Sequence, residues 1–201
     1  MNEELYMLIL GCRPTGRYTE QHDIFFGIGS NLVDLIPGIK KSWPEAKGNL
    51  HIDAWRKVTN VDGFEISVIP NNSKQPISKQ EHSLYFINLG GYKENELDEF
   101  HYKLLVVAEN LEQAKNKARK SAFFRASSVT GSSDYHNAVA HIDDKYGVDI
   151  DDAYKIEDIL PVSYKERYSL QIKAQTNIVE ADTIHAGYYP LNEIAKLEQS
   201  L

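Results

Sequence analysis

Two short patterns of acid and imidazole recur along the chain. Glu20-Gln21-His22 and Glu99-Phe100-His101 each place a carboxylate two residues before a histidine. His51-Ile52-Asp53 and His141-Ile142-Asp143 place a histidine two residues before a carboxylate. On a strand, positions i and i+2 face the same side, so each pair projects together. Glu, His, His and Asp are donors that suit zinc or another divalent transition metal. The sequence therefore names two candidate metal sets: Glu20, His22, His51 and Asp53, and Glu99, His101, His141 and Asp143. Each set requires its two pairs to converge in space. The competing reading is a polar network, in which each imidazole is held by its neighbouring carboxylate and fixes strand and loop ends. A Glu beside a His can also tune an imidazole for acid–base work without metal, yet no nucleophile accompanies it. No catalytic residue is assigned, and no cofactor other than such a metal is indicated.

Other chemical-looking residues carry less. Cys12 follows an apolar run in Gly11-Cys12-Arg13-Pro14, where Arg13 can lower a thiol pKa. It has no evident catalytic base, so it reads as a small buried residue. Gly27-Ile28-Gly29 lacks the third glycine and the Lys-Ser/Thr of a phosphate loop. Asp149-Ile150-Asp151-Asp152 lacks the glycine and distal Glu of a calcium loop and reads as a solvated acidic loop. Trp43, Trp55, Tyr188 and Tyr189 read as core or interface aromatics.

The elements that must position these groups repeat. Leu5-Tyr6-Met7-Leu8-Ile9-Leu10-Gly11 returns as Leu84-Tyr85-Phe86-Ile87-Asn88-Leu89-Gly90. The same offset of 79 carries Glu20 onto Glu99, His22 onto His101, and Asn31-Leu32 onto Asn110-Leu111. His51-Ile52-Asp53 meets His141-Ile142-Asp143 at an offset of 90, which places eleven extra residues between Lys120 and His141. The stretch Ser127-Ser128-Val129-Thr130-Gly131-Ser132-Ser133 within it reads as an exposed loop. The expectation is an α+β fold of two tandem β-β-α-β-β repeats related by internal duplication, plus a C-terminal β/α extension. The first repeat covers 1–70, with strands near 5–10, 22–29, 50–58 and 63–69. Its helix opens at Ser30 or Asn31, and Pro37-Gly38 weakens the second half. A polar linker fills 71–82. The second repeat covers 83–160, with strands at 84–89 and 101–108 and a helix at 110–125; 136–146 fits either helix or strand. The extension, 161–201, packs on the repeats, with strands near 167–173 and 183–189 and a closing helix from Pro190.

These motifs resemble a bacterial family known as domain of unknown function 1543. The likeness rests on Leu84-Tyr85 through Leu89-Gly90-Gly91, on the Glu-x-His fifteen residues after each opening leucine, and on His-Ile-Asp, followed in the first copy by Val61-Asp62-Gly63-Phe64. The resemblance implies a bacterial, soluble, duplicated protein and implies no activity.

Bulk composition narrows the function classes. Of 201 residues, 42% are hydrophobic, enough for a sizeable core. A formal net charge of −7 disfavours nucleic acid and anionic membranes as partners. One cysteine makes no internal disulfide, and Met1-Asn2-Glu3-Glu4 lacks a signal peptide's basic start, so the expected location is the cytoplasm. The favoured function is a non-enzymatic binding or regulatory module for a protein partner or small ligand, of undetermined oligomeric state. The alternative is a metal-dependent, hydrolase-like enzyme using the repeated pairs.

Overall fold

A computed structural model describes residues 3–71, 80–93, 97, 99–129, 138–139, 149–177 and 179–197. The fold is mixed, with more strand than helix. The chain divides into two compact units, Met1–Ser78 with Ile159–Leu201, and Lys79–Asp158.

Unit 1 opens with β1 (Glu4–Cys12) and β2 (Gln21–Gly29), a 3-10 turn (Val33–Leu35) and α1 (Ile36–Ser42). It continues through β3 (His51–Lys57), β4 (Asn60–Val61) and β5 (Phe64–Pro70). The run Leu5–Leu10 forms a strand because it is apolar and β-rich throughout, and it lies at the centre of its sheet. Asn31 Oδ1 accepts from the Asp34 N–H, while Asp34 Oδ2 accepts from the Ser30 N–H and hydroxyl. This reciprocal pairing satisfies donors freed at the turn that leads into the helix. Pro37 occupies the first turn of α1, where its missing N–H costs nothing. The proline thus starts this helix, whereas the sequence reading has it weaken a helix already begun.

Unit 2 holds β6 (Ser83–Lys93), β7 (Glu99–Ala108), α2 (Leu111–Val129), β8 (Ala138–Val139), β9 (Asp149–Lys155) and the short α3 (Ile156–Ile159). The α2 start is built like its counterpart. Asn110 Oδ1 accepts from the Gln113 N–H, and Gln113 Oε1 accepts from the Glu109 N–H. Ala114 and Ala118 of α2 pack into a core with Tyr85, Ile87, Leu89, Val106 and Ala108. The helix includes Ser127–Val129, which the composition reads as loop. Residues 130–137 and 140–148 lie outside the described residues.

The chain then returns to unit 1 through α4 (Val162–Lys165), β10 (Tyr168–Ala174), β11 (His185–Pro190) and α5 (Ile194–Leu197). Two antiparallel sheets result, in the orders β11-β3-β1-β2 and β10-β5-β4. The extension therefore supplies an edge strand to each. Asp182 ties it in, accepting from the Thr59 N–H at 3.0 Å, the Thr59 hydroxyl at 2.6 Å and the Asn60 N–H at 3.2 Å. The closing helix begins at Ile194 and not at Pro190, because Pro190 ends β11 on a sheet edge, where a missing N–H is tolerated. Among the described residues, no helix is long and apolar enough to cross a membrane.

The two units share a register. Leu5 pairs with Ile28 and Gly11 with His22; Leu84 pairs with Val107 and Gly90 with His101, each 79 positions on. The third strand joins the first with Gly11 opposite His51 in unit 1 and Gly90 opposite Asp149 in unit 2. The offset here is 98, which corrects the expected 90. Carried on, the offset of 90 would set Ile156 against Ile66 of β5 and Asp152 against the turn residue Asp62, yet Ile156 begins a helix and Asp152 lies within β9. A three-residue likeness cannot fix a register that is set by hydrogen bonding to the central strand.

Candidate metal centre

Gly11 is the platform of the first site. It is the next-to-last residue of β1, flanked by His22 on β2 and His51 on β3. With no side chain between them, the two imidazoles and their neighbours close over the glycine. A Cβ on Gly11 would meet His51 Nε2 and would lie 2.5 Å from Asp53 Oδ2.

Asp53 reaches this place through a bulge. The register passes from Leu10–Ile52 to Ile9–Ala54 and leaves Asp53 without a partner on β1. A bulge bends its strand and re-aims the extra side chain. Glu20 enters from the residue preceding β2. All four sequence-named residues of the first set thus come together. His51 Nε2 lies 3.2 Å from Glu20 Oε1 and 3.2 Å from Asp53 Oδ1. His22 Nε2 lies 3.2 Å from Asp53 Oδ2 and 3.8 Å from Glu20 Oε2.

Burial is unequal. His51 is 3% exposed, whereas Glu20 and His22 are half-exposed. Neither ring nitrogen of His51 has a hydrogen-bond partner, nor does Asp53 Oδ2. The nearby carboxylates meet the distance but not the direction of a hydrogen bond. A buried imidazole with both nitrogens unsatisfied is costly unless something else occupies them. The Tyr188 ring covers His51 at 4.3 Å between centroids although it is 69% exposed. It is therefore not a core residue. Trp55, by contrast, is buried as expected and stacks on His185 at 4.0 Å.

The second unit repeats the platform with different residues. Gly90 is flanked by His101 and Asp149, and the register skips Asp151 at the matching bulge. His101 Nε2 lies 3.2 Å from Asp151 Oδ2 and 3.7 Å from Glu99 Oε2. A Cβ on Gly90 would lie 2.5 Å from Asp151 Oδ2 and 2.7 Å from Glu99 Oε1. Glu99 and His101 are thus brought together as expected, joined by Asp151. His141 and Asp143 lie outside the described residues. The Asp149–Asp152 segment is strand and not acidic loop. The signal for Asp151 was present as x-Ile-Asp in Asp149-Ile150-Asp151, without the histidine that drew attention elsewhere.

Cys12 is fully buried, and its Sγ approaches the Ala46 carbonyl at 3.9 Å. Burial, and then the charge of Glu20, push its thiol pKa up. Arg13 does not activate it. Gly27 and Gly29 sit within β2, where Leu35 packs close against both, so their smallness serves packing.

An open groove of about 820 Å³ reaches the first site. Glu20, His51 and Tyr188 line it, together with Arg13 and Lys40. Sequence reasoning missed this groove, since its walls come from β11, α1 and the β1–β2 connection.

Residues 17–68 match the model of a family described as Domain of Unknown Function (DUF1543). The matched segment contains Glu20, His22, His51 and Asp53, and the resemblance carried by the motifs is borne out there. No curated protein matches the chain. Among solved structures, the crystal structure of a protein Il1583 from Idiomarina loihiensis is similar, with a TM-score of 0.57 and 21% identity. The match covers 94% of this chain and 99% of that one. At this identity the likeness is one of fold.

Proposed function

We propose that unit 1 holds a divalent transition-metal ion on Glu20, His22, His51 and Asp53, and that the chain acts as a metal-dependent module on a small ligand entering by the groove. One observation carries this reading: His51 Nε2 is equidistant, at 3.2 Å, from two carboxylates and hydrogen-bonded to neither. In a tetrahedral shell with bonds of about 2.0–2.1 Å, neighbouring donors lie about 3.3–3.4 Å apart. Hydrogen bonding would draw one carboxylate to about 2.8–2.9 Å in line with a single N–H. Among the described residues, only Glu99, His101 and Asp151 offer donor atoms that all lie within 4.8 Å of one another, so an ion in unit 1 would draw Glu20, His22, His51 and Asp53 inward from their pairwise contacts. Two imidazoles with two carboxylates suit zinc, iron or manganese. Such an ion, when bound, supplies Lewis acidity and an activated water, as in hydrolases.

The further reading is that the units are diverged copies of one ancestor. The 79-residue register, the shared bulge and the paired helix starts support it. On that reading Glu99, His101 and Asp151 form a second site, whose donor atoms all lie within 4.8 Å of one another, and Asp151 takes the place first given to Asp143.

The test is elemental analysis of the full chain after zinc loading and dialysis. The expected result is at least one zinc per chain, with one fewer in His22→Ala and in His51→Ala. A chain that retains no stoichiometric metal under these conditions would overturn the proposal and restore the metal-free network.

A further inference from the structure

We propose that the groove beside the first site takes a small organic anion, a carboxylate or a phosphate ester with an apolar body. This rests on the metal reading above. The argument is one of charge and lining. The chain carries a net charge of −7, yet the groove is lined by two cations, Arg13 and Lys40. Both are exposed, and among the described residues neither has an ion-pair partner. A divalent ion at the first site is balanced by the carboxylates of Glu20 and Asp53, which leaves the charges of Arg13 and Lys40 uncompensated. Unpaired cations at a partly enclosed site attract and orient an anion. The remaining wall is suited to an apolar body, with Ile36, Leu50, Leu191 and the Tyr188 ring facing the same space. At about 820 Å³ the groove falls in the range of small-molecule sites. Arg13 and Lys40 act here as recognition residues, while His51 and Glu20 connect the occupant to the metal centre.

The experiment is calorimetric titration of the zinc-loaded full chain with phenylphosphonate, phenylacetate and neutral benzyl alcohol. Both anions are expected to bind, with benzyl alcohol at least about tenfold weaker. The stronger of the two anions identifies the head group. The double variant Arg13→Ala/Lys40→Ala is expected to lose about tenfold or more in anion affinity while keeping its zinc, because both side chains are exposed and, among the described residues, in no ion pair. Equal binding of benzyl alcohol, unchanged anion binding by the double variant, or zinc retention with no anion binding would each overturn the groove proposal and leave the metal reading standing. If the chain takes no zinc, the same titrations on metal-free protein decide. Anion binding that depends on Arg13 and Lys40 sustains the groove alone, and its absence ends both.

Discussion

Replacing Gly11 by alanine should abolish metal binding at the first site without altering a single proposed ligand. The new Cβ would lie 2.5 Å from Asp53 Oδ2 and 2.9 Å from His51 Cε1, with Nε2 nearer still. Ordinary contact begins at 3.4 Å, so Asp53 would have to move by about 0.9 Å. A metal shell tolerates errors of about 0.2 Å in donor position. His51 cannot swing aside freely, because it is buried and lies beneath the Tyr188 ring. Two of four donors are therefore displaced, and zinc affinity should fall by more than about 100-fold, the upper range seen for shell perturbations that spare the ligands. The sheet should survive. Gly11 is ordinary extended strand, with β1 paired on both sides, so the metal-free variant should lose only about 1–3 kcal/mol from crowding. Competition against a chromophoric chelator gives the affinity, and circular dichroism of the metal-free protein checks the fold. Zinc affinity equal to wild type in a folded Gly11→Ala chain would refute the idea that donors converge over this glycine.

Other outcomes follow from the same geometry. Gly90→Ala should remove metal from unit 2 and spare unit 1, read as loss of one equivalent in a manganese titration. The second set has one imidazole, His101, among the described residues, so unit 2 should favour manganese over zinc more strongly than unit 1 does; equal preference in His22→Ala and His101→Ala chains would count against it. Cys12 should resist iodoacetamide in the folded chain at pH 8 and react once unfolded, since burial and Glu20 hold the thiol neutral. Because the folded thiol pKa is raised, this contribution to stability is complete below the unfolded thiol's pKa of about 8.5 and declines as pH rises beyond it. A Tm that holds constant from pH 8 to 10 would contradict that sign. Asp182→Ala removes three hydrogen bonds, two from backbone N–H groups, and should cost about 2–3 kcal/mol in urea unfolding with an unchanged slope.

Much of this was legible in the residues. The run Leu5–Leu10, its echo at Leu84–Leu89 and the two histidines of the Glu-x-His pairs lie in strands that pair as the 79-residue offset requires, with Glu20 just ahead of its strand. That part was readable because strand identity and side-chain alternation are local properties. The four residues of the first set were named in full from their types and two-residue spacing, although Glu20 lies just outside β2 and Asp53 sits at a bulge.

Register and bulges were not readable, because both are settled between strands. His141-Ile142-Asp143 copies the letters of His51-Ile52-Asp53, but the strand seated opposite Gly90 begins at Asp149, and hydrogen bonding to β6 decides that choice. The bulges that turn Asp53 and Asp151 over their glycines leave no mark in single-chain periodicity. Nor does the sequence connect Tyr188 with His51, residues 137 positions apart brought together when β11 pairs with β3. The residue types and their spacing set which chemistry is available to this chain. Tertiary pairing alone decided which donors meet, over which glycine, and beside which groove, because those distances are fixed by contacts remote in sequence.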